Sequence, residues 1–387
     1  MNQAIAANPT ILFAGGGSGG HLYPGISVAE ALVKAIPSVR PLFLCTEREI
    51  DQTILGPTGF EYIRQPIVPP VRSAGGLLKF WRNWRATQEI VQNVITEQAP
   101  AAVLGLGGYA AGVAVKLASK SGIPGAILNP DVVPGKANRF LMKFVRSVCC
   151  QFDATADHVE ESQKPKLTTT GCPVRRDLRE PVERKAALQR LGLESRLQTL
   201  VITGASQGAA TVNDAVLETL LRLRQEGSLL QGWQVLHLAG KDHAEKVRAE
   251  YRTILGDADV PVRVVDFTPG MADVWSVADL AISRSGASSL AELTTLGVPS
   301  VLMPYPFHKD KHQTSNAKVL ADAGAAVLLD DQKDRTRNAD QLIPTLKGLL
   351  YDASRRSQMA TAAKTLAKPD AAERVAHVLR AMTEPSA

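Results

Sequence analysis

Short apolar runs alternate with glycine-containing loops and helical segments along this chain. The first run, residues 11–14, precedes a loop of five glycines and one serine, and a helix is predicted over residues 23–34. A second apolar run at residues 41–45 follows that helix. Strands that alternate with helices in this way predict βαβ units and a parallel sheet, so the fold class is α/β.

The same succession begins again in the second half of the chain. An apolar run at residues 199–203 is followed by a small-residue loop at 204–208 and by a helix from Asn213 onward. Residues 102–130 and 280–306 also match each other in order: strand, glycine loop, helix, Gly-Ile/Val-Pro, strand and proline. This internal echo predicts two similar α/β domains that face one another, with ligands at the carboxyl ends of both sheets.

A domain boundary is expected near residue 170. Pro165 and the Gly171-Cys172-Pro173 segment interrupt the pattern at this point. We therefore expect a first domain over residues 1–170 and a second over residues 171–360. The remaining segment, 361–387, is predicted to carry a helix that packs back on the first domain.

Composition and charge narrow the class of protein. A chain of 387 residues exceeds what one core holds, and its net charge of +6 favours anionic partners. The basic residues are dispersed, so no nucleic-acid partner is expected. Neither a signal peptide nor a run near the ~20 apolar residues of a membrane span is present, which predicts a cytoplasmic protein with at most peripheral membrane contact. The four cysteines are not spaced as metal ligands are, and we expect them to be buried thiols: Cys45, Cys149, Cys150 and Cys172.

Aromatic and basic residues are concentrated in residues 71–86. Leu77, Trp81 and Trp84 recur at helical spacing, and this favours either an amphipathic helix packed on the sheet or a patch that docks on an anionic membrane surface. On the second interpretation, aromatic rings enter the headgroup region and basic side chains meet anionic lipid. The patch would comprise Leu77, Lys79, Phe80, Trp81, Arg82, Trp84 and Arg85.

The first glycine loop predicts a binding site for an anion. A strand, a glycine loop and a helix start present backbone N–H groups at the positive end of a helix dipole. His21 adds a titratable imidazole at the junction. Gly15, Gly17 and Gly20 also match the G-x-G-x-x-G pattern of dinucleotide folds, although a run this rich in glycine fits many patterns.

Candidate residues in the second half have competing local explanations. Ser206 and Gln207 suit either a diphosphate or a tight turn. Ser289-x-x-Glu292 suits a capping box, while Glu292 alone suits a carboxylate that accepts hydrogen bonds from ribose hydroxyls. The D-x-D at residues 257–259 is expected to be a surface loop, so no metal is predicted. The polar run at residues 308–313 is expected to bind a ligand or to form a solvated loop.

Several motifs occur together in one order along nearly the whole chain. They are GGSGGH at 16–21, GGY at 107–109, SQGA at 206–209, RSGASSLAE at 284–292, HQ at 312–313 and NA at 316–317. In this combination the chain resembles the MurG-type N-acetylglucosaminyltransferases of glycosyltransferase family 28. The resemblance implies the GT-B fold, in which two Rossmann-like domains face each other across a deep cleft.

The resemblance also implies an activity. The enzyme would move N-acetylglucosamine from UDP-N-acetylglucosamine to the 4-hydroxyl of undecaprenyl-diphosphate-linked N-acetylmuramoyl peptide. This inverting step converts lipid I to lipid II in peptidoglycan synthesis. It would take place at the cytoplasmic face of the cell membrane, with the enzyme bound peripherally and without a cofactor.

Roles for individual residues follow from the family motifs. An inverting transfer needs a base for the acceptor hydroxyl, and His21 is the candidate because an imidazole accepts a proton near neutral pH. Asp131 is a second candidate, to share or assume this role, because a carboxylate stands where the family has an asparagine. Ser18, Gly19 and Gly20 would contact phosphates, and Glu292 would bind ribose. The remaining substrate-binding residues would be Asp131, Arg175, Ser206, Gln207, Thr268, Ala287, Ser288, Ser289, Leu290, Ala291, His312 and Gln313.

Other functions remain open at this point. A UDP-N-acetylglucosamine 2-epimerase shares the two-domain fold and the nucleotide sugar but has no lipid acceptor. Another glycolipid glycosyltransferase would share the aromatic and basic patch, and a non-catalytic module would bind a UDP-sugar without turnover. An NAD oxidoreductase would leave the second glycine loop and residues 284–292 without a role.

Overall fold

The computed structural model describes residues 8–69, 73–204, 209–227, 230–256, 260–307 and 310–383, with only the backbone at Ala74 and Leu77. The chain folds into two compact units. The first comprises Met1–Arg175 and Lys368–Ala387, and the second comprises Arg176–Ala367.

Within its described residues the first unit contains a parallel sheet of seven strands. Their order across the sheet is β3-β2-β1-β4-β5-β6-β7. Apolar side chains fill both faces of the central strands, as parallel sheets covered by helices require. The strands are β1 (Thr10–Ala14), β2 (Arg40–Thr46), β3 (Glu61–Gln65), β4 (Ala102–Gly105), β5 (Gly125–Asn129), β6 (Ser147–Cys150) and β7 (Leu167–Thr169).

Helices connect these strands. The longest, α3, begins where the Ser73 Oγ accepts a hydrogen bond from the Gly76 N–H, and it ends at Ala99 in the left-handed conformation. The helices are α1 (Gly19–Ala35), α2 (Glu49–Leu55), α3 (Ala74–Gln98), α4 (Gly112–Lys120) and α5 (Lys136–Leu141). Shorter 3₁₀ segments span Gly56–Thr58, Tyr109–Ala111, Met142–Phe144, Asp153–His158 and Glu161–Lys166.

The second unit repeats this plan with six parallel strands in its described residues. The order is β10-β9-β8-β11-β12-β13. The strands are β8 (Gln198–Thr203), β9 (Trp233–Leu238), β10 (Val262–Val265), β11 (Leu280–Ser283), β12 (Ser300–Leu302) and β13 (Ala326–Leu328).

In the second unit the first helix precedes β8, and the other helices lie between the strands or after them. The helices are α6 (Arg184–Leu191), α7 (Ala210–Gln225), α8 (Ala244–Leu255), α9 (Met271–Ser276), α10 (Ala287–Leu296), α11 (His312–Asp322), α12 (Arg335–Leu350) and α13 (Ala353–Leu366). A last helix, α14 (Ala371–Thr383), belongs to the first unit. It packs on α1 and buries Val375 and Leu379 in the same core as Leu22.

Strand order locates the ligand-binding edge of each sheet. In each sheet the order in which the strands are added reverses beside the first strand. The reversal lies between β1 and β4 in the first unit and between β8 and β11 in the second, which is the Rossmann order. Ligands of such sheets bind beyond the carboxyl ends of the strands at this reversal. The predicted α/β class with two parallel sheets is therefore confirmed, and the glycine loops at residues 15–18 and 284–286 lie at the reversal points.

The structure also shows the environment of the cysteines and the character of the helices. All four cysteines are buried free thiols, as predicted, and burial raises the pKa of Cys149 to about 12. Among the described helices, none is long and apolar enough to cross a membrane.

Candidate active site

A buried aspartate supports the first glycine loop from below. Asp51, in α2, is fully buried, and its carboxylate accepts hydrogen bonds from the Gly17 N–H at 2.7 and 2.9 Å. It also accepts from the Thr46 N–H at 2.8 Å and the Thr46 hydroxyl at 2.7 Å. A Cβ on Gly16 would clash with the Asp51 Oδ2, and Gly17 has a φ of 83°, so both positions require glycine.

The hydrogen bonds of the loop determine which of its backbone N–H groups remain available to a ligand. The Gly17 N–H is occupied by Asp51, and the N–H groups of His21 and Leu22 already turn back to the Ser18 carbonyl. Gly19 and Gly20 are the first residues of α1, and N–H groups at that position have no acceptor within their helix. The backbone donors that remain for a ligand therefore lie in the last segment of the loop, at the positive end of α1.

Helix α1 begins earlier than the sequence pattern indicated. The predicted start was residue 23, whereas α1 begins at Gly19 and contains Pro24. Proline lacks an N–H, so the carbonyl of Gly20, four residues before it, cannot accept the usual helical hydrogen bond from that position.

The His21 ring has one orientation and one neutral tautomer. Its Nδ1 lies 3.2 Å from the Gly16 carbonyl oxygen and 3.2 Å from the Ser18 hydroxyl. A carbonyl only accepts, so Nδ1 carries the proton and Nε2 carries the lone pair. Burial lowers the pKa of His21, although the Gly16 hydrogen bond and the charges of Asp131 and Asp51 partly oppose this shift. The imidazole is therefore neutral near pH 7 and able to accept a proton at Nε2.

Glycines after β4 make room for this ring. A Cβ on Gly108 would lie 3.1 Å from the His21 Cε1, and one on Gly107 would lie 3.3 Å from its Cδ2. Both glycines also have positive φ values, 104° at Gly107 and 71° at Gly108. The Gly-Gly-Tyr motif thus brings the carboxyl end of β4 against the imidazole.

Asp131 lies in the turn after β5, close enough to His21 for its charge to raise the histidine pKa. The turn is fixed by asparagines: the Asn129 Nδ2 donates to the Asp131 carbonyl at 2.8 Å. The Asn138 Nδ2 donates to the Asn129 Oδ1 at 3.1 Å and to the Leu128 carbonyl at 3.0 Å. The structure therefore brings the two candidate bases, His21 and Asp131, into one neighbourhood.

Arg175 lies in the first unit beside the same helix. Its guanidinium carbon is 4.8 Å from the centroid of the Tyr23 ring, within the range of a cation–π contact. Tyr23 belongs to α1, and its ring lies against Gly19, where a Cβ would come within 2.9 Å. A positive charge is thus held next to the first turn of α1.

Replacing Asp51 by asparagine is expected to destabilise the first unit by about 2–4 kcal/mol. The amide would turn an NH₂ group toward the Gly17 and Thr46 donors, and one of them would lose its acceptor in the core. Urea denaturation of both variants measures this, with Glu49→Gln on the exposed surface of α2 as the matched control. Equal stability of the Asp51 and Glu49 variants would contradict this role.

The basic and aromatic segment forms the first half of α3. Its exposed side includes Leu78 and Trp81, which are 74% and 59% exposed, together with the basic side chains Lys79, Arg82 and Arg85. Phe80 and Trp84 are half-buried, and Trp84 packs on the core near Gly112. Trp81 and Trp84 therefore do not share one environment, and the exposed apolar surface is centred on Leu78 and Trp81.

In the second unit, α10 does not begin with the predicted capping box. The helix starts at Ala287 with Gly286 as its N-cap, so Ser289 is the third helical residue and not the cap. The capping-box interpretation of Ser289-x-x-Glu292 is therefore wrong. The N–H groups of Ala287, Ser288 and Ser289 lack helical acceptors and lie at the sheet's reversal point.

Glu292 contacts a buried tryptophan instead. The Trp275 Nε1–H donates to the Glu292 Oε2 at 2.7 Å, and Trp275 is 2% exposed whereas Glu292 is half-buried. In the same helix the side chains of Ala287, Leu290 and Ala291 are buried, so these residues offer a ligand only their backbone.

A buried ion pair joins the loops around α10. The Arg284 guanidinium donates to the Asp331 carboxylate at 2.8 Å, to the Thr211 hydroxyl at 2.6 Å and to the carbonyls of Met303 and Pro304. Burial lowers the pKa of Arg284. Burial also acts to raise the pKa of Asp331, but hydrogen bonds outweigh it and the pKa is lowered, so the carboxylate stays ionised.

The start of α11 carries the polar residues predicted after β12. The Gln313 Oε1 accepts from the Tyr305 N–H at 2.9 Å, which leaves the amide NH₂ as its donor. The His312 Nδ1 lies 2.7 Å from the Asp310 carboxylate. Thr268 follows β10 and is half-buried, and its hydroxyl accepts from the Gly270 N–H at 3.1 Å. Ser206, Gln207, the 257–259 segment and residues 308–309 lie outside the described residues.

Two Rossmann-type units, each with its glycine loop and helix N-terminus at the reversal point, define a GT-B enzyme fold. The chain belongs to glycosyltransferase family 28, because residues 11–150 match the family's N-terminal domain and residues 199–375 match its C-terminal domain.

Individual relatives agree with this assignment. The chain is 33% identical, over 96% of its length and 99% of the relative's, to a Thermoanaerobacter sp. (strain X514) protein named UDP-N-acetylglucosamine–N-acetylmuramyl-(pentapeptide) pyrophosphoryl-undecaprenol N-acetylglucosamine transferase. The crystal structure of Acinetobacter baumannii MurG matches with a TM-score of 0.73 and 26% identity, covering 96% of this chain and 99% of that one. A UDP-GlcNAc 2-epimerase from Neisseria meningitidis matches at 0.66 and 14% identity, covering 96% and 100%, which shows a shared fold alone.

Proposed function

We propose that this chain is an inverting glycosyltransferase that moves N-acetylglucosamine from UDP-N-acetylglucosamine to the 4-hydroxyl of undecaprenyl-diphosphate-linked N-acetylmuramoyl peptide. The observation that carries the proposal is the full-length similarity to enzymes named for this transfer. A shared GT-B fold does not separate this activity from epimerisation, since a 2-epimerase has the same fold.

The first unit supplies the chemistry for attack by the acceptor. His21 accepts the proton of the acceptor hydroxyl at Nε2 while the hydroxyl oxygen forms a bond to the anomeric carbon. The bond from that carbon to the UDP oxygen breaks on the opposite face, which inverts the configuration. Nδ1 stays hydrogen-bonded to the Gly16 carbonyl throughout, so the ring does not have to reorient. Asp131 stabilises the imidazolium that results, and a direct role as base is its alternative.

Helix N-termini and the Arg175 guanidinium stabilise the negative charge of the phosphate groups. Ser18, Gly19 and Gly20 bind phosphate oxygens at the start of α1, and Arg175 adds a full positive charge beside them. The departing UDP gains negative charge as its bond to the sugar breaks, so donors already in place lower the barrier. Ser206 and Gln207, in the second glycine loop, are also assigned to the diphosphate of the donor.

The second unit recognises the nucleotide and the sugar. Glu292 accepts hydrogen bonds from the ribose hydroxyls, and the backbone of Thr268 pairs with uracil. The N-terminus of α10, from Ala287 through Ser288, Ser289, Leu290 and Ala291, supports the nucleotide by its backbone dipole. The amide NH₂ of Gln313, with His312 beside it, binds sugar hydroxyls.

An acceptor-dependence assay tests the proposal. UDP release from UDP-N-acetylglucosamine is measured with and without a short-chain analogue of the lipid acceptor. We expect release that depends on the acceptor. Release of equal rate without acceptor would favour an epimerase or a hydrolase and contradict the transfer.

The enzyme is further proposed to dock on the cytoplasmic face of the cell membrane through α3. Leu78 and Trp81 enter the headgroup region, while Lys79, Arg82 and Arg85 each contribute about 1 kcal/mol toward anionic lipid. The paired substitution Leu78→Ser/Trp81→Ser is expected to weaken binding to anionic vesicles by about tenfold or more.

Vesicle sedimentation at low and high salt measures this, with vesicles of phosphatidylglycerol and phosphatidylcholine. Tyr351→Ser is the matched control, because Tyr351 is 61% exposed in the second unit. Binding that is the same for all three proteins would contradict docking through this surface.

A further inference from the structure

Trp275 combines deep burial with one directed polar contact. The indole belongs to α9, the helix before β11, and it is 2% exposed. Its Nε1–H donates to the Glu292 Oε2 at 2.7 Å across to α10. A hydrogen bond to an ionised acceptor is shorter and stronger than one between neutral groups, and this length fits that class.

The bond fixes how Glu292 presents its carboxylate. A glutamate side chain has three rotatable bonds. If no fixed neighbour orders the side chain, a ligand has to order it on binding, and this costs conformational entropy. The indole is held rigidly by its packing, so it sets the position of Oε2 and the plane of the carboxylate in advance. A carboxylate has about four lone-pair positions, so it can accept hydrogen bonds from more than one donor at once.

We propose that Trp275 is a positioning residue that orients the Glu292 carboxylate for the ribose hydroxyls of the donor nucleotide. This rests on the proposed function, in which Glu292 binds ribose. The alternative role of the contact is only to satisfy a buried indole donor, which any acceptor would do. The two roles differ in one respect: only positioning makes the effect of Trp275 depend on the ribose hydroxyls.

The test compares UDP with 2′-deoxy-UDP, which lacks one of those hydroxyls. Calorimetry gives the ratio of the two dissociation constants for the full-length protein, for Trp275→Phe, and for Trp233→Phe as a control. Trp233 is also buried in the second unit, at 3% exposure, and its ring contacts Arg356. This control therefore reports the cost of replacing a buried tryptophan as such.

We expect a ratio of roughly tenfold for the unchanged protein and for Trp233→Phe, falling to about threefold or less in Trp275→Phe. An unchanged ratio in Trp275→Phe would overturn the positioning role. Glu292→Ala distinguishes the ribose role of Glu292 from the positioning role of Trp275. If Glu292→Ala leaves the ratio at tenfold, the ribose role of Glu292 fails, whereas a change in Glu292→Ala but none in Trp275→Phe defeats the positioning role alone.

A second measurement needs no altered core. The chain has four tryptophans, so a spectrum of ¹⁵N-indole groups holds four signals. The Trp275 signal is expected to shift on addition of UDP and to shift less with 2′-deoxy-UDP. Equal shifts with both nucleotides, or none, would contradict the proposal even if Trp275→Phe does not fold.

Discussion

His21→Ala is expected to lower kcat for sugar transfer by about 10²–10⁴-fold, the usual contribution of a positioned general base. The affinity for UDP should change less than kcat, because the contacts proposed for its ribose and uracil belong to the second unit. Steady-state kinetics with the lipid analogue and calorimetry with UDP measure the two effects separately.

The pH dependence of the same reaction gives an independent check. A base works in its deprotonated form, so kcat/KM of the unchanged enzyme should fall as the pH drops through the pKa of His21. Burial lowers that pKa below its ordinary 6.5, so the loss occurs on the acidic side of pH 6.5. This acidic limb should vanish in His21→Ala. Asp131→Asn is the matched comparison: near-normal turnover of His21→Ala together with a severe loss in Asp131→Asn would make Asp131 the base.

Asp331→Ala is expected to destabilise the second unit by about 3–5 kcal/mol, the cost of leaving one charge of a buried ion pair uncompensated. The Asp331 side chain has no exposed area and the Arg284 side chain is 5% exposed, so water cannot replace the missing carboxylate. Thr211 and the Lys333 N–H would also lose an acceptor. Urea denaturation followed by fluorescence of Trp233 and Trp275 measures the loss.

Asp330→Ala is the natural control for this experiment, since Asp330 is the exposed neighbour in the same loop. It should change the free energy of unfolding by less than about 0.5 kcal/mol. Because Arg284 also holds the segments beside α10, the Asp331 variant should bind UDP more weakly at temperatures where it remains folded. A stability equal to that of Asp330→Ala would show that the ion pair does not hold these loops.

The hydrophobic pattern of the sequence was sufficient to predict the central strands of both sheets but not all of the strands at their edges. The strands next to the reversal points are apolar and flanked by glycine loops, so their pattern is clear. Three edge strands were not predicted: β3, β7 and β13. The first is mostly exposed and polar, and the other two have three residues each, so none buries an apolar run long enough to recognise.

The candidate site was predictable where its residues form local motifs. The loop at residues 16–21 and the segment 284–292 stand out because glycines and small residues cluster in short stretches. Asp51 and Trp275 carry no such signal, since each acts on a residue distant in the chain: Asp51 on Gly17, and Trp275 on Glu292. The capping-box interpretation failed because a local pattern cannot show where a helix begins when Gly286, without a side chain, is the N-cap.

Transfer of N-acetylglucosamine to the lipid-linked acceptor is established by the structure of the product. The enzyme is incubated with ¹³C-labelled UDP-N-acetylglucosamine and a short-chain analogue of the undecaprenyl-diphosphate-linked N-acetylmuramoyl peptide, and the products are identified by NMR. We expect a lipid-linked disaccharide with the label in a β-1,4 linkage. Labelled N-acetylmannosamine formed without acceptor, or tight UDP binding with no disaccharide, would contradict the transfer.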